Sequence, residues 1–171
     1  MDSIEILQYD ICFQEVPDEI SLCFSICGCT FRCPGCSTPE LQAGSGKGKR
    51  ISLEQFKVII DKYKNNISNV IFLGGEHLSV NILKKYFKLV RDNHLKITLY
   101  TGMDIIPEHL TPYIDYIKYG SYNEKLGPLN KETTNQRMIN LQTNEDITYK
   151  FWKNATPTFN NYIRSFTQCE S

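Results

Sequence analysis

Cys29, Cys33 and Cys36 stand close together in the run Cys29-Thr30-Phe31-Arg32-Cys33-Pro34-Gly35-Cys36. Their C-x3-C-x2-C spacing lets three thiolates converge on one soft metal centre and is too tight for ordinary disulfides among them. Thiolate-rich sites favour zinc or an iron–sulfur cluster. A structural zinc ion wants four protein ligands, so zinc here needs a further donor, Cys27 or His77. A [4Fe–4S] cluster held by three cysteines instead keeps one iron free of protein, and chemistry can occur at that corner. Two ligands one residue apart rarely serve one tetrahedral centre. Cys27 and Cys29 nevertheless share a face on an extended strand, which leaves Cys27 open as a fourth ligand or a redox group.

The elements that must position this loop follow from the apolar pattern. The run Ile20 to Ile26 reads as a buried strand that delivers the cysteines at its C-terminal end. Ser52 with Gln55 forms a capping-box signature, and Leu53, Phe56, Ile59, Ile60 and Tyr63 recur at helical spacing to about Lys64. Val70-Ile71-Phe72-Leu73 is a strand buried on both faces, ended by Gly74-Gly75-Glu76. Ser79 caps a second helix carrying Ile82, Leu83, Tyr86, Phe87 and Val90, with Lys84, Lys85 and Lys88 on its outer face. Ile97 to Tyr100 is a third strand stopped by Thr101-Gly102, and Tyr113 to Tyr119 a fourth ending at Gly120, with a short helix over 106–112 between them. Residues 137–142 and 147–152 read as a closing pair of strands, and residues 1–19 as short apolar patches before a turn at Pro17-Asp18-Glu19.

Alternating strands and helices imply parallel βα units, and right-handed crossovers bring the strand C-termini to one edge. Ligands of α/β folds bind at that edge. There the cysteine loop, Gly74-Gly75-Glu76, Thr101-Gly102 and Gly120 would meet. Too few units are present to close eight strands, so the expected fold is an α/β open partial barrel with parallel strands.

Composition narrows the function. A length of 171 residues, 41% of them hydrophobic, suits one domain, placed at 1–153, with a patternless and partly disordered tail over 154–171. Zero formal charge gives no electrostatic case for nucleic acid or an anionic membrane. No apolar run approaches the ~20 residues of a membrane span, and MDSIEILQYD lacks the basic and apolar regions of a secretory signal. Seven cysteines, an odd number, argue against a disulfide framework and for a reducing cytoplasm. Cys12, Cys23 and Cys169 read as free or buried thiols, and His94 and His109 as solvated. The stretch Ala43 to Arg50 resembles a phosphate loop only superficially, since Lys47 is followed by Gly48 rather than Ser or Thr. It reads as a basic, mobile linker.

The cysteine motif after a first strand, followed by Gly-Gly-Glu after the second, resembles the radical S-adenosylmethionine superfamily. Four segments narrow the likeness to the anaerobic ribonucleoside-triphosphate reductase activating proteins: Gly28 to Cys36, Leu99-Tyr100-Thr101-Gly102, Asp115 to Gly120, and Thr134-Asn135-Gln136-Arg137. The resemblance implies a glycyl-radical activase. Cys29, Cys33 and Cys36 would ligate a [4Fe–4S] cluster, and Gly35, Cys36, Ser37, Gly74, Gly75 and Glu76 would bind S-adenosylmethionine. Reductive cleavage would give a 5′-deoxyadenosyl radical that removes a hydrogen atom from a glycine Cα of the reductase; no general acid or base is needed. Gly74 and Gly75 would allow close backbone approach to the methionine moiety, with Glu76 beside its ammonium. The implied partners are the reductase and an electron donor such as flavodoxin or ferredoxin. A different glycyl-radical enzyme, a small-molecule substrate, or a non-catalytic zinc- or cluster-binding interaction module are the alternatives. The sequence departs from the family at His77, Met103 and Tyr119, where Pro, Tyr and Asp are usual, and at Phe13 to Glu19, where a glycine-rich turn is common.

Overall fold

The computed structural model describes residues 2–153. Eight strands form one sheet: β1 (Ser3–Cys12), β2 (Ser21–Ile26), β3 (Lys49–Ser52), β4 (Asn69–Leu73), β5 (Lys96–Tyr100), β6 (Tyr116–Tyr119), β7 (Arg137–Asn140) and β8 (Glu145–Asp146). Their spatial order is β3-β1-β2-β4-β5-β6-β7-β8, so among the described residues β3 and β8 are the edges and the sheet is open. The centre, β2-β4-β5-β6, is parallel. Antiparallel strands flank it on both sides. The α/β open partial barrel is thus present, with its parallel character confined to the centre.

Among the described residues three α-helices accompany the sheet: α1 (Leu53–Tyr63), α2 (Val80–Asp92) and α3 (Tyr149–Lys153). The capping box at α1 is complete: Ser52 Oγ accepts from Gln55 N at 3.2 Å and Gln55 Oε1 accepts from Ser52 N at 2.9 Å. Ser79 Oγ caps α2 by accepting from Ile82 N at 3.3 Å. The outer row of the parallel strands, Phe24, Phe72, Leu99 and Ile117, packs with Phe56, Ile60, Leu83, Phe87 and Val90 of the two helices. Aromatic edges interlock there, Phe24 with Phe56 at 4.6 Å and Phe72 with Phe87 at 4.9 Å between centroids. Each such buried side chain contributes about 1.5–3 kcal/mol. The inner face carries a second cluster that includes Cys12, Cys23, Ile71, Tyr100, Tyr116 and Met138.

Five local expectations change. Residues 3–12 form β1, whose alternation is interrupted by a bulge between Ile6 and Gln8; the extra residue shifts the period that marks a strand. Lys49 and Arg50 belong to β3 rather than to a linker, and charged residues suit an edge strand. In place of a helix over 106–112 there is a 3-10 turn at Thr111–Tyr113, because Pro112 has no N–H and disfavours helix at Thr111. The fourth parallel strand begins at Tyr116 rather than Tyr113: at Asp115 the backbone N–H already donates to Ile97 O at 2.8 Å, but the Ile97 N–H is taken by the Asp115 side chain at 2.7 Å, and Thr111–Tyr113 are in the 3-10 turn. Residues 147–152 do not form a strand. Thr148 Oγ1 takes the Met138 N–H at 2.8 Å and starts the short α3, which buries Ile147 and Phe151 together. The tail 154–171 and Cys169 lie outside the described residues.

Candidate active site

The central strands end in one row, Ser25, Leu73, Tyr100 and Lys118. The turns beyond it continue the ladder. Gly74 N donates to Tyr100 O at 2.9 Å, Thr101 N to Lys118 O at 2.8 Å and Gly120 N to Met103 O at 2.7 Å. All the turn segments named from the sequence therefore meet at one edge. Thr134, Asn135, Gln136 and Arg137 brace the last turn: Gln136 Nε2 donates to Gly120 O at 3.2 Å and Asn135 Nδ2 to Ser121 O at 2.9 Å.

The cysteine loop leaves β2 and lies across this edge. Gly28 N and Cys29 N both donate to Leu41 O at 2.9 Å, which fixes the start of the loop. Phe31 covers Gly102, where an added Cβ would stand 3.0 Å from its ring. Gly35, at φ +72°, approaches Tyr122, and Gly28, at φ +100°, lies beneath His77. Ser37 is exposed just beyond Cys36.

Cys29, Cys33 and Cys36 are each partly exposed. Burial raises the Cys29 thiol above its ordinary range, and negative charge on Glu76, Cys36 and Cys33 raises it further. Those groups therefore share one field. Among the described residues, no three His, Cys, Asp or Glu side chains are already arranged to hold a metal ion. Cys27 is buried, its Sγ lying with Glu5 beneath Gly48.

Gly74 and Gly75 adopt φ of +84° and +103°, a region that strains other residues. A Cβ on Gly75 would stand 2.9 Å from Ile26 Cδ1. Close packing on β2 therefore demands a glycine there before any ligand is considered. Glu76 follows with Oε2 buried and without a hydrogen-bond partner among the described residues, which is costly unless a donor arrives.

Lys118 is the residue that sequence reasoning missed. Burial pulls its ammonium down to about 8, opposed by the negative charge of Cys33 and Glu76. Its Nζ donates weakly to Gly120 O at 3.5 Å and stands 5.9 Å from the Tyr100 ring centroid. It makes no ion pair with a carboxylate among the described residues. A lysine in a strand end carries no sequence signal; only the register, which places it on the inner row, reveals it.

These residues fit the groups that the sequence implies. Three thiols on one loop suit a cluster, whose positive iron would reverse the thiol shift and deprotonate them. The orphaned Glu76 oxygen suits an ammonium. An open α/β sheet with thiols, a fixed anion and a fixed cation at its strand C-termini is the architecture of a cofactor-dependent enzyme. The family model of the radical SAM superfamily matches residues 24–169, and the chain belongs to that superfamily. It follows that this is an enzyme of radical chemistry, in a superfamily that typically uses S-adenosylmethionine and a [4Fe–4S] cluster. No curated protein matches the chain. No helix among the described residues is long and apolar enough to cross a membrane.

Proposed function

We propose that the protein is a cytoplasmic activase that generates a glycyl radical on an anaerobic ribonucleoside-triphosphate reductase. The opposite charges of Glu76 and Lys118, close enough that Glu76 and Cys33 both act on the Lys118 ammonium, carry the cofactor side of this reading. One unsatisfied anion and one unpaired cation match the ammonium and carboxylate of a zwitterionic amino acid. The order of the four family segments, gathered at one edge, supports the partner.

In this reading Cys29, Cys33 and Cys36 hold the [4Fe–4S] cluster. Gly35, Cys36, Ser37, Gly74 and Gly75 line the approach of S-adenosylmethionine, Glu76 accepts from its ammonium and Lys118 faces its carboxylate. When bound, the two groups supply reductive cleavage of the sulfonium to a 5′-deoxyadenosyl radical. The chain's own work is to fix the methionine end between opposite charges and to keep the loop Cys29 to Cys36 against the turns after β4, β5 and β6. That restraint is orientation, which raises effective concentration at the reacting centre.

The test is incubation of the reduced, reconstituted protein with such a reductase and S-adenosylmethionine, followed by electron paramagnetic resonance. A glycine-centred signal that requires S-adenosylmethionine is expected. Cleavage of S-adenosylmethionine with no such signal would refute the reductase as target and favour another glycyl-radical enzyme or a small-molecule substrate.

A further inference from the structure

Between β1, β3 and α1 lies an open groove of about 450 Å³. Leu7, Tyr9, Ile51, Val58 and Ile59 line it, so its walls are mainly apolar. Val58 is 68% exposed and Tyr9 37%, although Tyr9 also packs on Phe24 at 5.6 Å between ring centroids. The strand beneath is open as well. β3 pairs with Ser3 to Ile6 and stops there, so Gln8 and Tyr9 have β2 on one side and no described strand on the other. Apolar side chains gathered on one exposed patch mark a docking surface.

The chain itself supplies an occupant within reach. Lys150 Nζ donates to Asp18 Oδ2 at 2.6 Å, and Phe151 packs in the cluster that holds Cys12 and Val16. The chain therefore leaves the described residues beside the end of β1. Tyr9 stands three residues back along that strand, about 10 Å away, and the five residues from 154 to 158 can span about 16 Å. Beyond them Phe159, Tyr162, Ile163 and Phe166 recur at i, i+3, i+4 and i+7, with Asn160, Asn161, Arg164 and Ser165 between. That spacing is one apolar stripe on a polar segment, so the tail does carry a pattern. The superfamily match runs to residue 169, which places this segment within the matched domain.

We propose that residues 159–166 of this chain dock in the groove, laying Phe159, Tyr162, Ile163 and Phe166 against Leu7, Tyr9, Val58 and Ile59. The inference is independent of the glycyl target and of the cofactor assignment. A tethered segment meets the groove at an effective concentration of about millimolar, whereas a second copy of the chain has to arrive by diffusion. Docking there has a consequence for the site. Cys27 N donates to Glu5 O at 2.8 Å, so β1 holds the stretch of chain that leads to Cys29. A segment clamped across β1 and α1 steadies the root of the cysteine loop.

The test compares full-length variants by thermal melting, hydrogen exchange and solution mass. Val58→Asp alters an exposed side chain, so with an empty groove the melting temperature should not move. With the groove filled, it should fall by about 4 °C. The tail variant Ile163→Asp, Phe166→Asp should fall by a similar amount. The two sets combined should fall no further than either alone, because they break one contact. The tail variant should also speed amide exchange at Leu7 to Tyr9, far from the substituted residues in sequence. An unchanged melting temperature in Val58→Asp would overturn the proposal, as would losses that simply add. So would a dimer that Val58→Asp dissolves and the tail variant leaves intact, since a second copy would then fill the groove.

Discussion

The two ends of the parallel strands are built from similar polar residues and treat them in opposite ways. At the N-terminal end every group named here has a partner. Glu19 accepts from Ser68 Oγ at 2.5 Å and Tyr116 Oη at 2.9 Å and pairs with Lys96. Beside it, Asn69 donates to Ser21 Oγ and accepts from Thr98 Oγ1, both at 2.9 Å. At the C-terminal end, among the described residues, Glu76 Oε2 and Asn135 Oδ1 are buried without a hydrogen-bond partner and Lys118 makes no ion pair. A satisfied network stabilises, and an unsatisfied one costs free energy unless a ligand completes it. The floor holds the sheet together and the mouth stores unmet hydrogen bonds.

The largest effect should come from the thiols. Cys33→Ala removes a partly exposed side chain with no hydrogen bond of its own, so folding stability should change by no more than about 0.5 kcal/mol. Iron and sulfide content after anaerobic reconstitution, and S-adenosylmethionine cleavage, should both be abolished. Retained cleavage in this variant would remove the metal assignment and with it the functional meaning of the mouth.

Lys118→Met sharpens the contrast from the other side. Replacing a half-buried cation that has no ion pair among the described residues with an apolar chain of similar length should raise the melting temperature of the iron-free protein at neutral pH. It should also weaken S-adenosylmethionine binding by at least about 10-fold, read from titration of the reconstituted protein, since a charge-assisted contact is lost. The pH dependence has a definite sign. The folded ammonium loses its proton near pH 8, whereas the unfolded one keeps it to about 10.4. The unfolded state therefore binds more protons in that window, and wild-type stability should gain relative to the Met variant as pH rises through it. A melting temperature lowered by the substitution would mean that Lys118 supports the fold and not the ligand.

Much of this was legible in the sequence because the signals were local. The helix caps at Ser52 and Ser79, the apolar run of β2 and β4, and the glycine turns needed only their neighbours. The antiparallel flanks were not. β1 hides its period behind a bulge, and β3 becomes a strand only because the Ser3–Ile6 edge is there to pair with. At the site, the cysteines, Gly74-Gly75 and Glu76 announced themselves by spacing. Lys118 did not, because its role depends on register across four strands. Gly75 was legible for a different reason from the one that holds: its missing side chain first makes room for Ile26.

The smallest effect should come from the floor, and it should touch stability alone. Burial pushes the Glu19 carboxyl up, but bonds from Lys96, Ser68 and Tyr116 outweigh it and hold the group below the ordinary carboxylate range. A depressed folded value gives stability that is present above the unfolded pKa of about 4.3 and is lost as pH falls through the folded one. Lys96 is shifted up, by its bond to Glu19 first, so its share persists to about pH 10 and fades only above the unfolded lysine range. Lys96 is 48% exposed, so solvent screens its side of the ion pair; its bond and those of the Ser68 and Tyr116 hydroxyls act together on the buried carboxylate. Glu19→Gln should therefore cost about 1–2 kcal/mol at pH 7, a few degrees in melting temperature, and the gap from wild type should close near pH 3. S-adenosylmethionine cleavage at 25 °C should be unchanged. If cleavage falls as steeply as it does for Lys118→Met, the floor and the mouth are one energetic unit, and the unmet bonds at the strand C-termini lose their claim to a separate role.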